Sequence, residues 1–164
     1  MGIYLLSLFG TASIGVYTVA NEKFVIVPKA TPETKTKKLE KWLKTPVIKT
    51  NIGNSVVLGA LVCANSYGIL LPHFILDEEI DEIKTVAKDL NIQIMETKRT
   101  AYGNMVLAND KGAIADPRLK PQEIKIISDV LGVEVVQGEI AGLPYVGSLA
   151  LATNKGVLAH PLIK

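Results

Sequence analysis

Four stretches of this chain repeat one pattern. They are SIGVYTVANEKFVIVP at 13–28, VLGALVCANSYGILLP at 57–72, AYGNMVLANDKGAIADP at 101–117 and YVGSLALATNKGVLAHP at 145–161. Gly15, Gly59, Gly103 and Gly147 recur at a spacing of 44, as do Ala20, Ala64, Ala108 and Ala152. Asn21, Asn65, Asn109 and Thr153 keep the same step, and so do Phe24, Gly68, Gly112 and Gly156. Pro28, Pro72, Pro117 and Pro161 close the blocks, with one residue inserted before Pro117. Self-similarity at such a period marks a repeat architecture, in which each unit buries its apolar faces only against its neighbours.

The content of one unit is readable from its periodicities. A helix signal follows each proline. Thr31-Pro32 predicts an N-cap with proline at the first helical position, ahead of Leu39, Trp42 and Leu43. Asp77 is expected to cap a second helix with Ile80, Ile83, Val86, Ala87 and Leu90 on one face. A third helix is expected to start near Pro121, carry Ile124, Ile127, Val130 and Leu131, and stop at Gly132. Short strands are expected around Ile48, around Ile92 and Ile94, and around Val133 and Val135. Two apolar strands joined at Asn-x-x-Gly complete the unit, where Asn and Gly are expected to supply positive φ.

The expectation is therefore an α/β chain of strand, strand, strand, helix units, near 1–45, 46–89, 90–133 and 134–164, within a single domain. Small sheets would circle with helices outside. The alanine column would form the most crowded interior layer. On this reading the ring lacks its last part, because a fourth helix would only begin at Lys164.

Composition narrows the function. Hydrophobic residues make up 48% and mean hydropathy is +0.29, so an aliphatic core is affordable; net charge is only +2, which weakly permits an anionic partner. A single cysteine excludes an internal disulfide framework and a multi-cysteine zinc site, and fits a reducing, cytoplasmic setting. The first 21 residues carry no charge, but they lack a basic leader region and are broken by Ser7, Gly10, Thr11, Ser13 and Gly15. They are expected to be buried strands, with no membrane anchor.

The stretches TNIGNSVVLGALVCANSYGILLP, TAYGNMVLANDKGAIADP and LPYVGSLALATNKGVLAHP resemble the translation initiation factor 6 family of archaea and eukaryotes, the archaeal branch more closely. The resemblance runs along essentially the whole chain. It implies a pentein fold, a propeller of five such units around a pseudo-fivefold axis, of which this sequence would supply about three and a half. It also implies a ribosome anti-association factor that binds the intersubunit face of the large ribosomal subunit and blocks the small subunit sterically. Its partners would be a uL14-type ribosomal protein and ribosomal RNA near the sarcin–ricin loop. The protein is expected to act as a monomer, without cofactor, metal or catalytic residue. The lysine-rich helix TPETKTKKLEKWLKT departs from the family pattern.

The repeat also suggests where a partner would touch. The residue after each repeat glycine varies, as Val16, Ala60, Asn104 and Ser148, and is expected at a turn at one end of each sheet. In a ring these turns share one face, with Tyr102, Tyr145 and Leu149 beside them. The resemblance implies that the position of Asn104 belongs to the ribosome contact; the plainer alternative is an ordinary set of turns.

Two other function classes were weighed. The fold implied by the resemblance also hosts enzymes that modify guanidino groups through a cysteine, a histidine and carboxylates. Cys63, however, shares its column with Val19, Leu107 and Leu151 and reads as a core thiol, while His73 and His160 read as exposed loop residues. The other class is a non-ribosomal interaction module. No phosphate-binding loop occurs, and the acidic run DEEIDE at 77–82 reads as a helix N-terminus, not a metal loop. Lys35, Lys37, Lys38, Lys41 and Lys44, and the pair Lys98 and Arg99, are either a solvated surface or a contact for RNA phosphates. No aromatic stacking platform is evident from the sequence.

Overall fold

The structure is a computed structural model and describes residues 3–163. Its strands form four small sheets that follow the repeat. The first contains β1 (Val19–Ala20), β2 (Val25–Val27) and β3 (Val47–Lys49). The second contains β4 (Cys63–Ala64), β5 (Gly68–Pro72) and β6 (Asn91–Met95), and the third β7 (Val106–Ala108), β8 (Ala113–Ala115) and β9 (Val135–Gln137). The fourth pairs β10 (Ala150–Thr153) with β11 (Gly156–Ala159). In each of the first three, an antiparallel hairpin is followed by a helix that crosses over to a parallel third strand.

A repeat has no privileged starting point in sequence. Hydrogen bonding sets its phase, and it assigns each third strand to the hairpin before it: β3 pairs with β2, β6 with β5 and β9 with β8. The sheet-forming order is therefore strand, strand, helix, strand. Register also aligns 25, 69, 113 and 157, so that the buried Asp116 stands where Pro28 and Pro72 stand in the first two units and His160 in the fourth.

The three crossover helices are α1 (Glu33–Leu43), α3 (Asp77–Val86) and α5 (Pro121–Leu131). Each begins differently from expectation except the last. Thr31 is buried and gives no cap bond; Pro32 holds the N-cap position of α1. Asp77 is already helical, and the α3 start is held by the Glu79 carboxylate, which accepts the Leu76 N–H at 3.1 Å. Glu123 does the same for Lys120 at 2.8 Å in α5, which opens on Pro121 and ends on Gly132 at φ 62°. Each of these carboxylates satisfies an N–H that the helix leaves unpaired.

Helices fill the spaces between sheets. Ile26 and Ile48 of the first sheet pack with Ile69 and Leu71 of the second and with Ile80 and Ile83 of α3. Cys63 and Leu70, on the other face of the second sheet, pack with Met105, Val106 and Ala115 and with Ile127, Val130 and Leu131 of α5. A smaller cluster joins Val25, Val27 and Leu39 of α1.

Two expectations about the interior change. The alanine column is not the most crowded layer: Ala20 is exposed and Ala64, Ala108 and Ala152 are only half-buried. The closest approach is the glycine column. A Cβ at Gly59 would strike the Gly15 carbonyl, one at Gly103 the Gly59 carbonyl and one at Gly147 the Gly103 carbonyl. Nor do residues 3–18 form buried strands; Ile3 and Leu5 are exposed, and only Leu8 in that stretch is buried. Met1 and Gly2 lie outside the described residues.

The Asn-x-x-Gly turns work by a different mechanism from the expected one. None of their Asn or Gly residues has positive φ. Instead the Asn65 side-chain Oδ1 accepts the N–H groups of Tyr67 and Gly68, both at 3.0 Å, and its Nδ2 donates to the Asn109 backbone carbonyl 44 residues on, at 3.1 Å. Asn21 donates likewise to Asn65 at 2.9 Å, and Asn109 to Thr153 at 3.0 Å. Each asparagine closes its own turn and ties it to the next. The Asn154 N–H in turn reaches the Glu22 carboxylate at 3.3 Å, so the fourth turn meets the first.

Candidate functional site

The residues after the repeat glycines sit at turns, and these turns are helical. They lie in single helical turns: a 3-10 turn (Ile14–Val16), α2 (Leu58–Leu61), α4 (Tyr102–Met105) and α6 (Val146–Leu149). These turns close on themselves, as in Val62 N–H to Leu58 O at 2.9 Å and Met105 N–H to Ala101 O at 3.2 Å. Gly59, Gly103 and Gly147 let each of the later turns press against the backbone of the turn before it, so the four stack into one continuous rim. Val16, Ala60, Asn104 and Ser148 take equivalent places along it.

The rim is uneven. Val16 and Ser148 are exposed, while Ala60, Asn104 and Leu149 are half-buried. Tyr145 precedes α6 and is 47% exposed. Tyr102 leaves the candidate surface altogether. Its ring is fully buried in the core and its hydroxyl bonds Thr97 Oγ1 at 2.7 Å; burial pushes its phenol pKa up. The helical turn is the reason. Position 102 starts the turn and points inward, whereas position 104, two residues on, points away.

Arg118 is a neighbour of this rim that the sequence did not single out. Its guanidinium lies over the Tyr145 ring, 4.7 Å from the centroid. It donates from Nε to Asp116 Oδ1 at 2.9 Å and from Nη2 to Oδ2 at 2.6 Å, while its backbone N–H also donates to Oδ1 at 2.9 Å. Hydrogen bonds from Arg118 hold the Asp116 carboxyl below its usual range, and Asp116 raises the Arg118 pKa. The Arg99 Nη2 donates to the Arg118 carbonyl at 2.6 Å. Asp-Pro-Arg in a loop carries no signal of this kind in sequence; only the meeting of that loop with α6 creates it.

The other chemically interesting side chains do not converge. Cys63 is buried, and burial pushes its thiol up to about 12. Its core reading holds. His73 is exposed; His160 is half-buried, with Nδ1 accepting the Leu162 N–H at 3.2 Å. Among the described residues no group of three His, Cys, Asp or Glu side chains could hold a metal ion, and no helix is long and apolar enough to cross a membrane. On α1, Lys37, Lys38, Lys41 and Lys44 are exposed and Lys35 donates to the Ser7 carbonyl at 2.6 Å. Trp42 stacks on Tyr4 at 4.6 Å and 6°, an aromatic pair beside the lysines that the sequence did not reveal. Each ring already covers one face of the other.

The eIF-6 family model matches residues 3–164. The chain belongs to the eIF-6 family. Proteins called translation initiation factor 6 are similar to it: that of Staphylothermus marinus is 42% identical over 145 residues, covering 87% of this chain and 64% of the relative. That of Methanocaldococcus jannaschii is 45% identical over 138 residues, covering 82% and 60%, and that of Nitrosopumilus maritimus 39% over 142, covering 87% and 64%. The chain thus spans a little under two thirds of the length of these family members.

Proposed function

We propose that this chain is a ribosome anti-association factor. It binds the large ribosomal subunit on its intersubunit face and keeps the small subunit away by occupying the space. The single observation that carries this reading is membership of the eIF-6 family along essentially all the chain. The rim of stacked helical turns gives it a surface: four equivalent places, alike in backbone and varied in side chain, with Val16 and Ser148 exposed and Ala60 and Asn104 half-buried. On this reading the units belong to a pentein propeller with a pseudo-fivefold axis, and the rim, through Asn104, Val16, Ala60, Ser148, Leu149 and Tyr145, meets a uL14-type ribosomal protein close to the sarcin–ricin loop.

Such a mechanism needs no catalytic group. The factor acts by preferring the free subunit to the joined ribosome, and it shifts association only by that difference in affinity. The protein works in the cytoplasm as a monomer, with no cofactor and no membrane contact. A guanidino-modifying enzyme finds no support among the described residues, since its required thiol nucleophile would have to be the buried Cys63.

Co-sedimentation with separated large and small ribosomal subunits tests the reading. The chain is expected to pellet with the large subunit alone, and Asn104→Arg, which puts a bulky charge at the middle of the rim, is expected to weaken this. A folded chain that pellets with neither subunit would overturn the proposal.

A further inference from the structure

We infer that Arg118, held by Asp116 and stacked on Tyr145, is an anchor of the docking rim, and that what it grips is a protein surface offering carbonyl acceptors, not RNA phosphate. The inference rests on the ribosome-docking reading above and names residues and a partner chemistry for it.

The other units of the repeat do not carry this trio. Strand register places Asp116 where the first two units carry the buried prolines Pro28 and Pro72. Tyr145 stands where the first three units carry Ser13, Val57 and Ala101, just ahead of their helical turns. No other unit repeats the combination: His160 takes the place of Asp116 in the fourth, and Ser13 leads the first helical turn. A buried carboxylate is costly unless it is paired, and a paired one seldom adds stability over an apolar residue. Asp116 is fully buried, yet its partner is 48% exposed on the side chain. The pair is therefore better explained by what it presents outward.

What it presents is a fixed arginine. Two of its N–H groups are taken by Asp116 and its face by Tyr145, so the side chain has little rotamer freedom left to lose on binding. A guanidinium carries five N–H donors, more than these two bonds use. Arginine and tyrosine in such settings dominate binding energy at protein interfaces. The local charge argues against phosphate. Asp116 offsets the guanidinium, and Arg99, which donates to the Arg118 carbonyl, is itself paired with Glu123 at 3.7 Å. Leu143 and Tyr145 give an exposed apolar flank.

The test is large-subunit binding by the 164-residue chain, measured by co-sedimentation at 50 and 200 mM salt. Arg118→Ala and Tyr145→Ala are each expected to weaken binding at least about tenfold, and Arg118→Lys, which keeps charge but not the fork, is expected to restore little. Asn104→Arg reports on the rim itself, and thermal melting checks that each variant is folded. Should Arg118→Ala fail to fold, Arg118→Lys and Tyr145→Ala decide. Loss of binding by Asn104→Arg with Arg118 and Tyr145 variants at wild-type strength overturns the anchor and leaves the function standing. A wild-type chain that does not bind overturns both. The wild type is expected to lose less than about tenfold between the two salts; a fall of a thousandfold or more, cut by Arg118→Ala, would identify phosphate as the partner and overturn the chemistry inferred here.

Discussion

Leu70 and Leu158 are the same residue of the repeat, two units apart, and they have opposite surroundings. Leu70 is 0% exposed, between the second sheet and α5, whereas Leu158 on β11 is 75% exposed. The same holds for Cys63 and Leu151, which is also exposed. Between the second and third sheets α5 fills the space; between the third and fourth sheets lies an open groove of about 420 Å³ lined by Leu107, Ile114, Val136 and Val157. Identical local patterns thus give a core in one place and a surface in another. In a repeat chain, burial belongs to the junction between units, not to the unit.

The glycine column should separate the two kinds of position most sharply. Gly103→Val would drive a branched side chain into the Gly59 and Val62 carbonyls, and is expected to cost about 4 kcal/mol or more, or to prevent folding. A Cβ at Gly156, in the fourth unit, meets nothing within 4 Å, so Gly156→Ala should stay within about 0.5 kcal/mol. Urea denaturation of the two variants measures this, and equal costs would break the comparison.

Leu70→Ala is expected to cost about 2–5 kcal/mol, since it leaves a cavity in a closed junction. Leu158→Ala removes exposed atoms and should change stability by no more than about 0.5 kcal/mol. A large loss at Leu158 would mean that β11 is covered in solution.

The asparagine series tests the ties between units. Asn65 is buried and its amide also donates to the Leu131 carbonyl at 2.7 Å, so Asn65→Ala should cost about 1–3 kcal/mol by leaving those groups unpaired. Asn109 is only half-buried, and Asn109→Ala should cost about 1 kcal/mol or less. Chemical denaturation ranks the two.

The smallest effect concerns acid. Hydrogen bonds from Arg118 hold the Asp116 carboxyl below its usual value in the folded state. Its contribution is therefore complete above the ordinary carboxylate pKa of about 4, and is lost as pH falls towards the folded value. Asp110 behaves alike: burial pushes its carboxyl up, but hydrogen bonds from Asn154 and Ser66 outweigh this and lower it. Between pH 5 and 2 the wild type should lose stability more steeply than Asp116→Asn. Parallel curves would remove Asp116 from the account.

Much of this was legible in the sequence. The period of 44, the hairpins at Asn-x-x-Gly, the third strands at Ile48 and Ile92, and α5 from Pro121 to Gly132 all follow from local chemistry, because turn residues, proline, glycine and apolar spacing act on their immediate neighbours. The turns after the repeat glycines were legible for the same reason, though not their helical form. What lay beyond reach depends on contacts between units. No local rule puts Tyr102 in the core and Tyr145 at the surface, makes Asn65 a tie across 44 residues, assigns β3 to the sheet before it, or seats Arg118 on a tyrosine from the next unit. The sequence by itself determined the period of the repeat and the local elements within it. Tertiary structure decided which faces of those units are buried and which residues meet, because hydrogen bonds and packing across a junction depend on the neighbour's position, which the pattern of one strand or helix does not contain.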